Sequence, residues 1–147
     1  MKKIFASLLF VAIAATAAFP FKLGVEFSVG ETQQVGANLR FTDMFEMKPQ
    51  IGFSFSDGTN IFDLILDGNF YLPDIDELHH YAGFGLGMFF QSDENGKINL
   101  NAHYGLRYDV NDIISLFGEG GIKMDFDPFV MATFKGGIGC TFYIPGF

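Results

Sequence analysis

Apolar and polar residues alternate with a period of two along most of the chain after residue 20. In the first such stretch, a polar residue or a glycine follows each of five apolar residues: Phe21, Leu23, Val25, Phe27 and Val29. This period places successive side chains on opposite faces of a β-strand. The pattern recurs and predicts eight strands, at 20–30, 34–42, 45–56, 60–72, 80–91, 97–109, 113–124 and 130–144.

Short segments with turn-forming residues separate the predicted strands. The segments 57–60, 111–112 and 125–128 are rich in Asp, Asn, Gly and Pro, which favour turns. Because the connections are short, successive strands should pair as antiparallel hairpins, with one small helical turn between Pro73 and His79. These features predict an all-β fold, an eight-stranded antiparallel up-and-down β-barrel. Alternation alone does not separate a transmembrane β-barrel from a soluble one, because either has one apolar face. The features described below favour the transmembrane β-barrel.

The N-terminus has the organisation of a secretory signal peptide. Lys2 and Lys3 form a short positive region, an apolar stretch covers 4–15, and small residues follow it. The apolar stretch is shorter than the roughly 20 residues that a transmembrane helix needs. We therefore predict a signal peptide at 1–18 and an outer-membrane β-barrel domain at 19–147.

The net charge argues against a nucleic-acid-binding protein, and the cysteine content excludes a protein stabilised by intramolecular disulfides. The formal net charge is −8, and removing Lys2 and Lys3 with the signal peptide would make it −10, so nucleic acid is not an expected partner. The single cysteine, Cys140, rules out an intramolecular disulfide framework. We expect it to behave as a small apolar residue.

The aromatic residues of the apolar face are sorted by depth. If the first strand rises from the periplasm, one group lies near that side: Phe21, Phe41, Phe45, Phe70, Tyr108 and Phe142. A second group lies near the other side: Phe53, Phe55, Phe62 and Phe90. Aliphatic residues such as Leu64 and Leu86 fall between the two groups. Aromatic girdles around an aliphatic band are typical of a lipid-facing barrel surface, so outer-membrane lipid is the expected surroundings.

The opposite face carries six basic and five acidic residues, among them Lys22 and Glu46. We predict an ion network in the lumen, formed by Glu26, Arg40, Lys48, Asp63, Asp67, His103, Arg107, Glu119, Lys123 and Lys135. Glycines on the same face would make room for these side chains: Gly83, Gly85, Gly87, Gly137 and Gly139. An eight-stranded barrel is just wide enough for its own side chains. A plugged lumen without appreciable solute conductance is therefore expected.

The last strand reads KGGIGCTFYIPGF and ends on Phe147, with Phe142 and Ile144 nearby. It resembles the C-terminal signature of bacterial outer-membrane β-barrels, although Pro145-Gly146 interrupts the alternation. The segment 104–121, YGLRYDVNDIISLFGEGG, resembles the penultimate hairpin of small eight-stranded outer-membrane barrels of the OmpA/OmpX-like group. The resemblance implies that the barrel-assembly machinery is a partner during biogenesis. It also implies an assembly signal made of Phe142, Ile144 and Phe147.

One cluster contains potential metal ligands: Asp74, Asp76, Glu77, His79 and His80. Carboxylates and imidazoles can bind a divalent cation. However, the spacing matches no known metal-binding loop, and a solvated turn is the simpler interpretation. We predict no metal site and no cofactor.

No pattern indicates a catalytic site. A lipid-modifying barrel enzyme would need a nucleophile beside a base. Ser28 and Ser54 are expected near the outer rim, whereas His103 is expected nearer the middle of the barrel or its periplasmic end. The glycines between Gly83 and Gly87 lie within a strand and lack the spacing of a phosphate-binding loop. We predict that the protein is not an enzyme.

Together, these features predict a non-enzymatic integral outer-membrane barrel with a structural or envelope role. The alternative is a secreted, soluble lipocalin-like barrel whose Phe-rich face lines a cavity for an apolar ligand. The acidic net charge favours that alternative, as does Pro49, because a closed barrel has no edge strand to accommodate a missing donor. A bulge at Pro49, or a strand beginning nearer Gln50, would remove this difficulty. The sequence indicates no oligomeric state.

Overall fold

The structure, a computed structural model, describes residues 21–56, 59–91, 94–126 and 130–146, so the predicted signal peptide lies outside it. The eight strands are β1 (Lys22–Gly30), β2 (Gln33–Thr42), β3 (Phe45–Ser56), β4 (Thr59–Tyr71), β5 (Leu78–Gln91), β6 (Glu94–Asp109), β7 (Ile114–Phe126) and β8 (Val130–Tyr143). The predicted strand bounds differ from these by at most three residues. Alternation along the chain therefore located each strand.

The strands form a closed barrel in which each strand pairs with the next and β1 pairs with β8. The closing ladder is antiparallel and runs from Gly24 opposite Tyr143 to Gly30 opposite Gly137. Closure leaves no unpaired strand edge, which a barrel in hydrocarbon requires. The predicted all-β, eight-stranded up-and-down barrel is confirmed.

The two ends of the barrel differ in what they contain. We call one the terminal end, because β1 begins and β8 ends there; it also holds the connections 43–44, 72–77 and 110–113. The other is the distal end. No helix among the described residues has the length and apolar character needed to cross a membrane.

The helical turn predicted between Pro73 and His79 is wrong. Ile75 and Leu78 form an antiparallel bridge, each donating its backbone N–H to the other's carbonyl oxygen at 3.0 Å. Asp76 lies between them with a φ of 55°. A two-residue hairpin turn requires positive φ, which Asp tolerates better than most residues. The local structure is therefore a tight β-turn that continues the hairpin.

Pro49 lies within β3, and the structure shows neither a bulge at Pro49 nor a strand that begins nearer Gln50. The strand begins at Phe45, and the register shift between β2 and β3 lies at Arg40/Thr42, away from the proline. On the β2 side, pairs form at Gly36–Gln50 and Leu39–Met47 in one register, and the positions between them are unpaired. Two pairings are skipped beside the proline, so the ladder accommodates the missing N–H without a bulge.

Polar side chains fill the inside of the barrel, and apolar side chains cover the outside. Among the described residues, the buried hydrophobic side chains are only Tyr71, Tyr81, Phe117 and Tyr143, whereas sixteen polar or charged residues are buried. Outward-facing Leu64, Leu86 and Phe84 are 41%, 51% and 63% exposed. The lipocalin-like alternative requires the opposite arrangement, with the apolar face lining a cavity.

The outer surface has aromatic belts at two depths. Toward the terminal end, five rings follow one another with centroids 4.9 to 6.2 Å apart: Phe21, Phe41, Phe45, Phe70 and Phe84. Toward the distal end, Phe62 and Phe90 are 6.1 Å apart, and Phe53 and Phe55 are 5.9 Å apart. The predicted sorting of aromatics by depth is thus present, with Phe84 added to the first group.

Candidate functional site: the charged interior

Arg107 lies at the centre of the terminal half of the interior and is fully buried. Its Nη1 donates to Glu46 Oε2 at 3.0 Å and to the Tyr143 hydroxyl at 2.5 Å. Its Nη2 donates to Glu26 Oε2 at 3.3 Å. The guanidinium also lies 5.6 Å from the ring centre of Phe117. One side chain from β6 therefore binds carboxylates from β1 and β3.

Lys48 forms the second charged junction and is also fully buried. Its Nζ lies 3.2 Å from Glu26 Oε1 and 3.0 Å from Glu119 Oε2. The ammonium is 4.8 Å from the ring centre of Phe117. Lys48 thus joins β3 to β1 and β7, and Glu26 is shared between Lys48 and Arg107.

Amide and hydroxyl groups complete the coordination of the two buried glutamates. Asn38 Nδ2 donates to both Glu26 and Glu46, at 3.1 and 3.0 Å. Further donors, at 2.8 to 2.9 Å, are Gln50 and Thr141 to Glu26, and Asn69 and Tyr71 to Glu46. A buried ion pair is tolerable only when its remaining lone pairs are also hydrogen-bonded. The neutral donors around Glu26 and Glu46 meet this condition.

A second group of charges surrounds His103. The ring places Nδ1 2.9 Å from Asn101 Oδ1 and Nε2 2.7 Å from Asn69 Oδ1. Asn101 Nδ2 donates to Asp67 Oδ1 at 3.0 Å. Lys135 Nζ lies 3.8 Å from Asp67 Oδ2. The histidine therefore connects β6 to residues of β4 through two asparagines.

Asp67, His103 and Glu119 could together hold a metal ion, since one ligand atom from each lies within 4.8 Å of the others. Two ammonium groups already lie against these carboxylates. Lys48 Nζ is 3.0 Å from Glu119, and Lys135 Nζ is 3.8 Å from Asp67 and 4.0 Å from Glu119. A divalent cation would meet like-charge repulsion there, so the arrangement favours ion pairs.

Three residues of the predicted network lie apart from these clusters. Arg40 donates to the Asp43 carbonyl at 3.3 Å. Asp63 accepts a hydrogen bond from Thr32 at 3.4 Å. Lys123 is 2.8 Å from both carboxylate oxygens of Glu31. The structure thus brings together Glu26, Lys48, Asp67, His103, Arg107, Glu119 and Lys135, and places the other three nearer the barrel ends.

A cavity of about 50 Å³ opens on the distal side of the clusters. Asp63, Lys123 and Lys135 are among its lining residues, and Glu119 separates it from Lys48. This volume is enough for a few water molecules. The charged clusters therefore meet a small polar space toward the distal end.

Inward-facing glycines allow these side chains to fit. A β-carbon at Gly83 would overlap with Asn69 and His103, and one at Gly85 would overlap with Asp67. A β-carbon at Gly139 would likewise overlap with the Phe117 ring. The glycines of β5 and β8 therefore provide space for long side chains from the neighbouring strands β4, β6 and β7.

Glu46 lies on the charged face, but the predicted network did not include it. The prediction also omitted Tyr143, which accepts from Arg107, and the buried amides and tyrosines that bind the carboxylates: Asn38, Gln50, Asn69, Asn101, Tyr71 and Tyr81. Along each strand, these residues are an even number of positions from the charged residues, so both kinds share the inward face. This spacing could have identified them from the sequence, whereas formal charge alone could not.

The acidic and histidine segment 74–80 does not gather into a metal site. His79 Nδ1 lies 2.7 Å from Asp74, and its Nε2 lies 3.3 Å from Asp109. His80 contacts the Tyr104 hydroxyl at 2.8 Å and the Pro73 carbonyl at 2.6 Å. The ring nitrogens therefore fasten the 72–77 connection to neighbouring strands.

The residues of the predicted assembly signal lie at the terminal end. Phe142 faces outward from β8 and is 42% exposed. Ile144 follows the strand, and its N–H donates to the Leu23 carbonyl at 2.8 Å. Phe147 lies outside the described residues.

The closed strand order, the outward apolar band and the inward charges together define a transmembrane β-barrel with eight strands. A soluble protein would leave an exceptionally large apolar surface in water, whereas in a membrane this surface lies against lipid. The comparisons with known proteins agree with this class.

No protein-family model and no curated protein sequence matches the chain. Among solved structures, the chain is similar to the N-terminal β-barrel domain of Pseudomonas aeruginosa OprF, with 17% identity, a TM-score of 0.57, and coverage of 84% of this chain and 96% of that one. Neisserial surface protein A has 13% identity, a TM-score of 0.55, and coverage of 84% and 94%. A de novo designed transmembrane β-barrel has 18% identity, a TM-score of 0.57, and coverage of 85% and 97%.

These similarities establish the fold at low sequence identity. The predicted resemblance to small eight-stranded outer-membrane barrels is confirmed at that level by the OprF domain and by Neisserial surface protein A. The strands are of the transmembrane kind, with lengths of 9 to 16 residues. A tilted strand needs about 9–11 residues to cross the hydrocarbon layer.

Proposed function

We propose that the protein is a non-enzymatic integral protein of the outer membrane, with a structural role in the envelope and a plugged lumen. The observation that carries the proposal is the continuous set of ion pairs across the interior. Glu26 binds both Lys48 and Arg107, Lys48 also binds Glu119, and Arg107 also binds Glu46. These residues come from β1, β3, β6 and β7, so the pairs connect opposite walls.

The burial of the network supports the plug. Glu26, Glu46, Lys48 and Arg107 are each at most 1% exposed. A path for solute could open only if these ion pairs separated. Their separation would leave buried charges with neither a partner nor water, which is costly. Tyr81 and Phe117 lie beside Lys48 and occupy further space.

The contacts of Ser28 and His103 support a non-enzymatic role. Ser28, one of the two serines expected near the outer rim, donates to Gln34 at 3.1 Å. Both ring nitrogens of His103 contact asparagines. These groups are engaged in structural hydrogen bonds, and a nucleophile must instead lie beside a base.

The short distal connections support a role within the membrane. The strand bounds leave two or three residues for each: 31–32, 57–58, 92–93 and 127–129. Surface adhesion usually depends on long loops. A barrel with such short connections presents little surface beyond the lipid, which fits a structural contribution to the envelope.

Export and assembly are part of the same proposal. Residues 1–18 would direct secretion and be removed, leaving a barrel domain at 19–147. Phe142, Ile144 and Phe147 would then be recognised by the barrel-assembly machinery. Phe142 is exposed on the outer face of the closing strand, where a partner protein can reach it.

A refolding experiment tests the membrane location. The mature chain is refolded with and without detergent micelles and examined on a cold detergent gel, boiled and unboiled. We expect a heat-modifiable band that forms only with micelles, because the apolar band needs an apolar solvent. A compact, soluble form in buffer alone would overturn the proposal.

Planar bilayer recordings test the plugged lumen. The refolded barrel is compared with a large porin, whose interior leaves an aqueous channel. We expect the porin to conduct and this protein to remain at baseline over the same voltages. A large, stable open state of this protein would refute the plug while leaving the membrane location intact.

A further inference from the structure

Each ring nitrogen of His103 lies within hydrogen-bond distance of an oxygen atom. Nδ1 lies 2.9 Å from Asn101 Oδ1, and Nε2 lies 2.7 Å from Asn69 Oδ1. An amide oxygen can only accept a hydrogen bond. A neutral imidazole offers one donor, whereas an imidazolium offers two. Both contacts are hydrogen bonds only if the ring carries two protons.

The orientation of each asparagine is set by a carboxylate on its other side. Asn69 Nδ2 donates to Glu46 Oε1 at 2.8 Å, and Asn101 Nδ2 donates to Asp67 Oδ1 at 3.0 Å. Turning either amide would place its oxygen against an ionised carboxylate, which cannot donate. The carboxylates thus fix both amide oxygens toward His103.

We propose that His103 is an imidazolium at neutral pH and that its second proton holds Asn69 and Asn101 in the orientation that serves Glu46 and Asp67. If that proton leaves to water, one ring nitrogen presents a lone pair to an amide oxygen. The amide concerned must then turn, and its donor to the carboxylate is lost. The interior therefore contains a proton-dependent link between β3 and β4, through one residue of β6.

The charge count of the clustered interior supports a fourth cation. Four carboxylates lie there: Glu26, Glu46, Asp67 and Glu119. Three residues of the opposite charge pair with them: Lys48, Arg107 and Lys135. An imidazolium at His103 makes the two signs equal. Buried charges are stable only when compensated, so this balance favours the second proton.

The ionisable groups around the ring come from five other strands. They are Lys48 on β3, Asp67 on β4, Tyr81 on β5, Glu119 on β7 and Lys135 on β8. Burial and the two lysines favour the neutral ring, whereas the two carboxylates favour the charged ring. The two short contacts favour the charged ring, because a neutral ring has a proton for only one of them.

The protonation state can be measured directly on the refolded wild-type barrel in micelles. Histidine is labelled with ¹⁵N, and the ring signals are assigned by comparison with His79→Gln and His80→Gln, which alter only the two histidines outside the clusters. At pH 7 we expect both ring nitrogens of His103 to carry a proton. One protonated and one unprotonated nitrogen would overturn the proposal.

A pH series tests the link to the asparagines. Side-chain amide signals of Asn69 and Asn101 are followed as the pH is raised until His103 loses a proton, with the amide of Asn111 in a terminal turn as a control. We expect at least one of the two lumen amides to change together with the ring, while Asn111 does not. A ring that loses its proton without any change at Asn69 or Asn101 would refute the link.

Discussion

Arg107 on β6 donates a hydrogen bond to Glu46 on β3 at 3.0 Å, although 61 positions separate the two residues. The two strands are not neighbours in the barrel, so the contact crosses the interior. Both side chains are completely buried. This single contact thus reports the curvature of the sheet around its interior, the inward direction of both side chains, and the absence of room for water between them.

Removing the arginine should strongly destabilise the barrel. Arg107→Met keeps most of the side-chain volume but leaves Glu46 and Glu26 without this cation. Breaking a buried pair from one side costs about 3–5 kcal/mol, measured as the free energy of unfolding in urea with lipid vesicles. Lys123→Met is the control, because its partner Glu31 is half exposed and such pairs contribute roughly 0–1 kcal/mol. Equal losses in the two variants would contradict the central role of Arg107.

A β-carbon should be tolerated outside the barrel but not inside it. In Gly85→Ala the new methyl group would overlap with Asp67, whereas in Gly120→Ala its nearest neighbour is the Lys135 carbonyl at 3.9 Å. We expect Gly85→Ala to lose about 1–3 kcal/mol of unfolding free energy through overpacking. Gly120→Ala should stay within about 0.5 kcal/mol of the parent protein. The reverse order would mean that the two faces had been assigned incorrectly.

A charge on the apolar band should cost stability only at membrane depth. Leu86 lies in the middle of β5 and is 51% exposed, and Val110 lies in a terminal connection and is 49% exposed. Because Leu86 faces lipid, we expect Leu86→Arg to lose about 2–4 kcal/mol, while Val110→Arg stays near zero. Unfolding in vesicles measures both. A soluble barrel would tolerate the two substitutions equally, since their exposures match.

Cys140 offers a chemical probe of the same surface. It lies opposite Phe27 and Leu116, which are both exposed on the outer face. A charged, water-soluble thiol reagent does not enter hydrocarbon, so Cys140 in vesicles should react far more slowly than in the unfolded chain. In a Cys140→Ala background, Asp112→Cys places a thiol in a terminal turn, where reaction should be fast. Rapid labelling of folded Cys140 would place it in water.

The sequence predicted the strands and the face of each side chain because both follow from a local rule. A period of two assigns Leu64 and Leu86 to one face and Asp63 and Asp67 to the other, without knowledge of any partner. The local rule failed at the 72–77 connection, where a β-turn with positive φ at Asp76 replaces the expected helical turn. It also did not reveal how the ladder passes Pro49.

Alternation thus determined by itself that this chain forms eight strands, each with one apolar and one polar face. The tertiary structure turned the apolar face outward, where residues such as Leu86 and Phe84 are exposed. Only the closed tertiary structure decided which charges meet: Arg107 with Glu46, and Lys48 with Glu26 and Glu119. In the same structure, Lys123 pairs with Glu31 near the distal end. Pairing across a lumen depends on strand register and on closure between β1 and β8, which bring residues distant in sequence to the same depth. No local pattern contains that information.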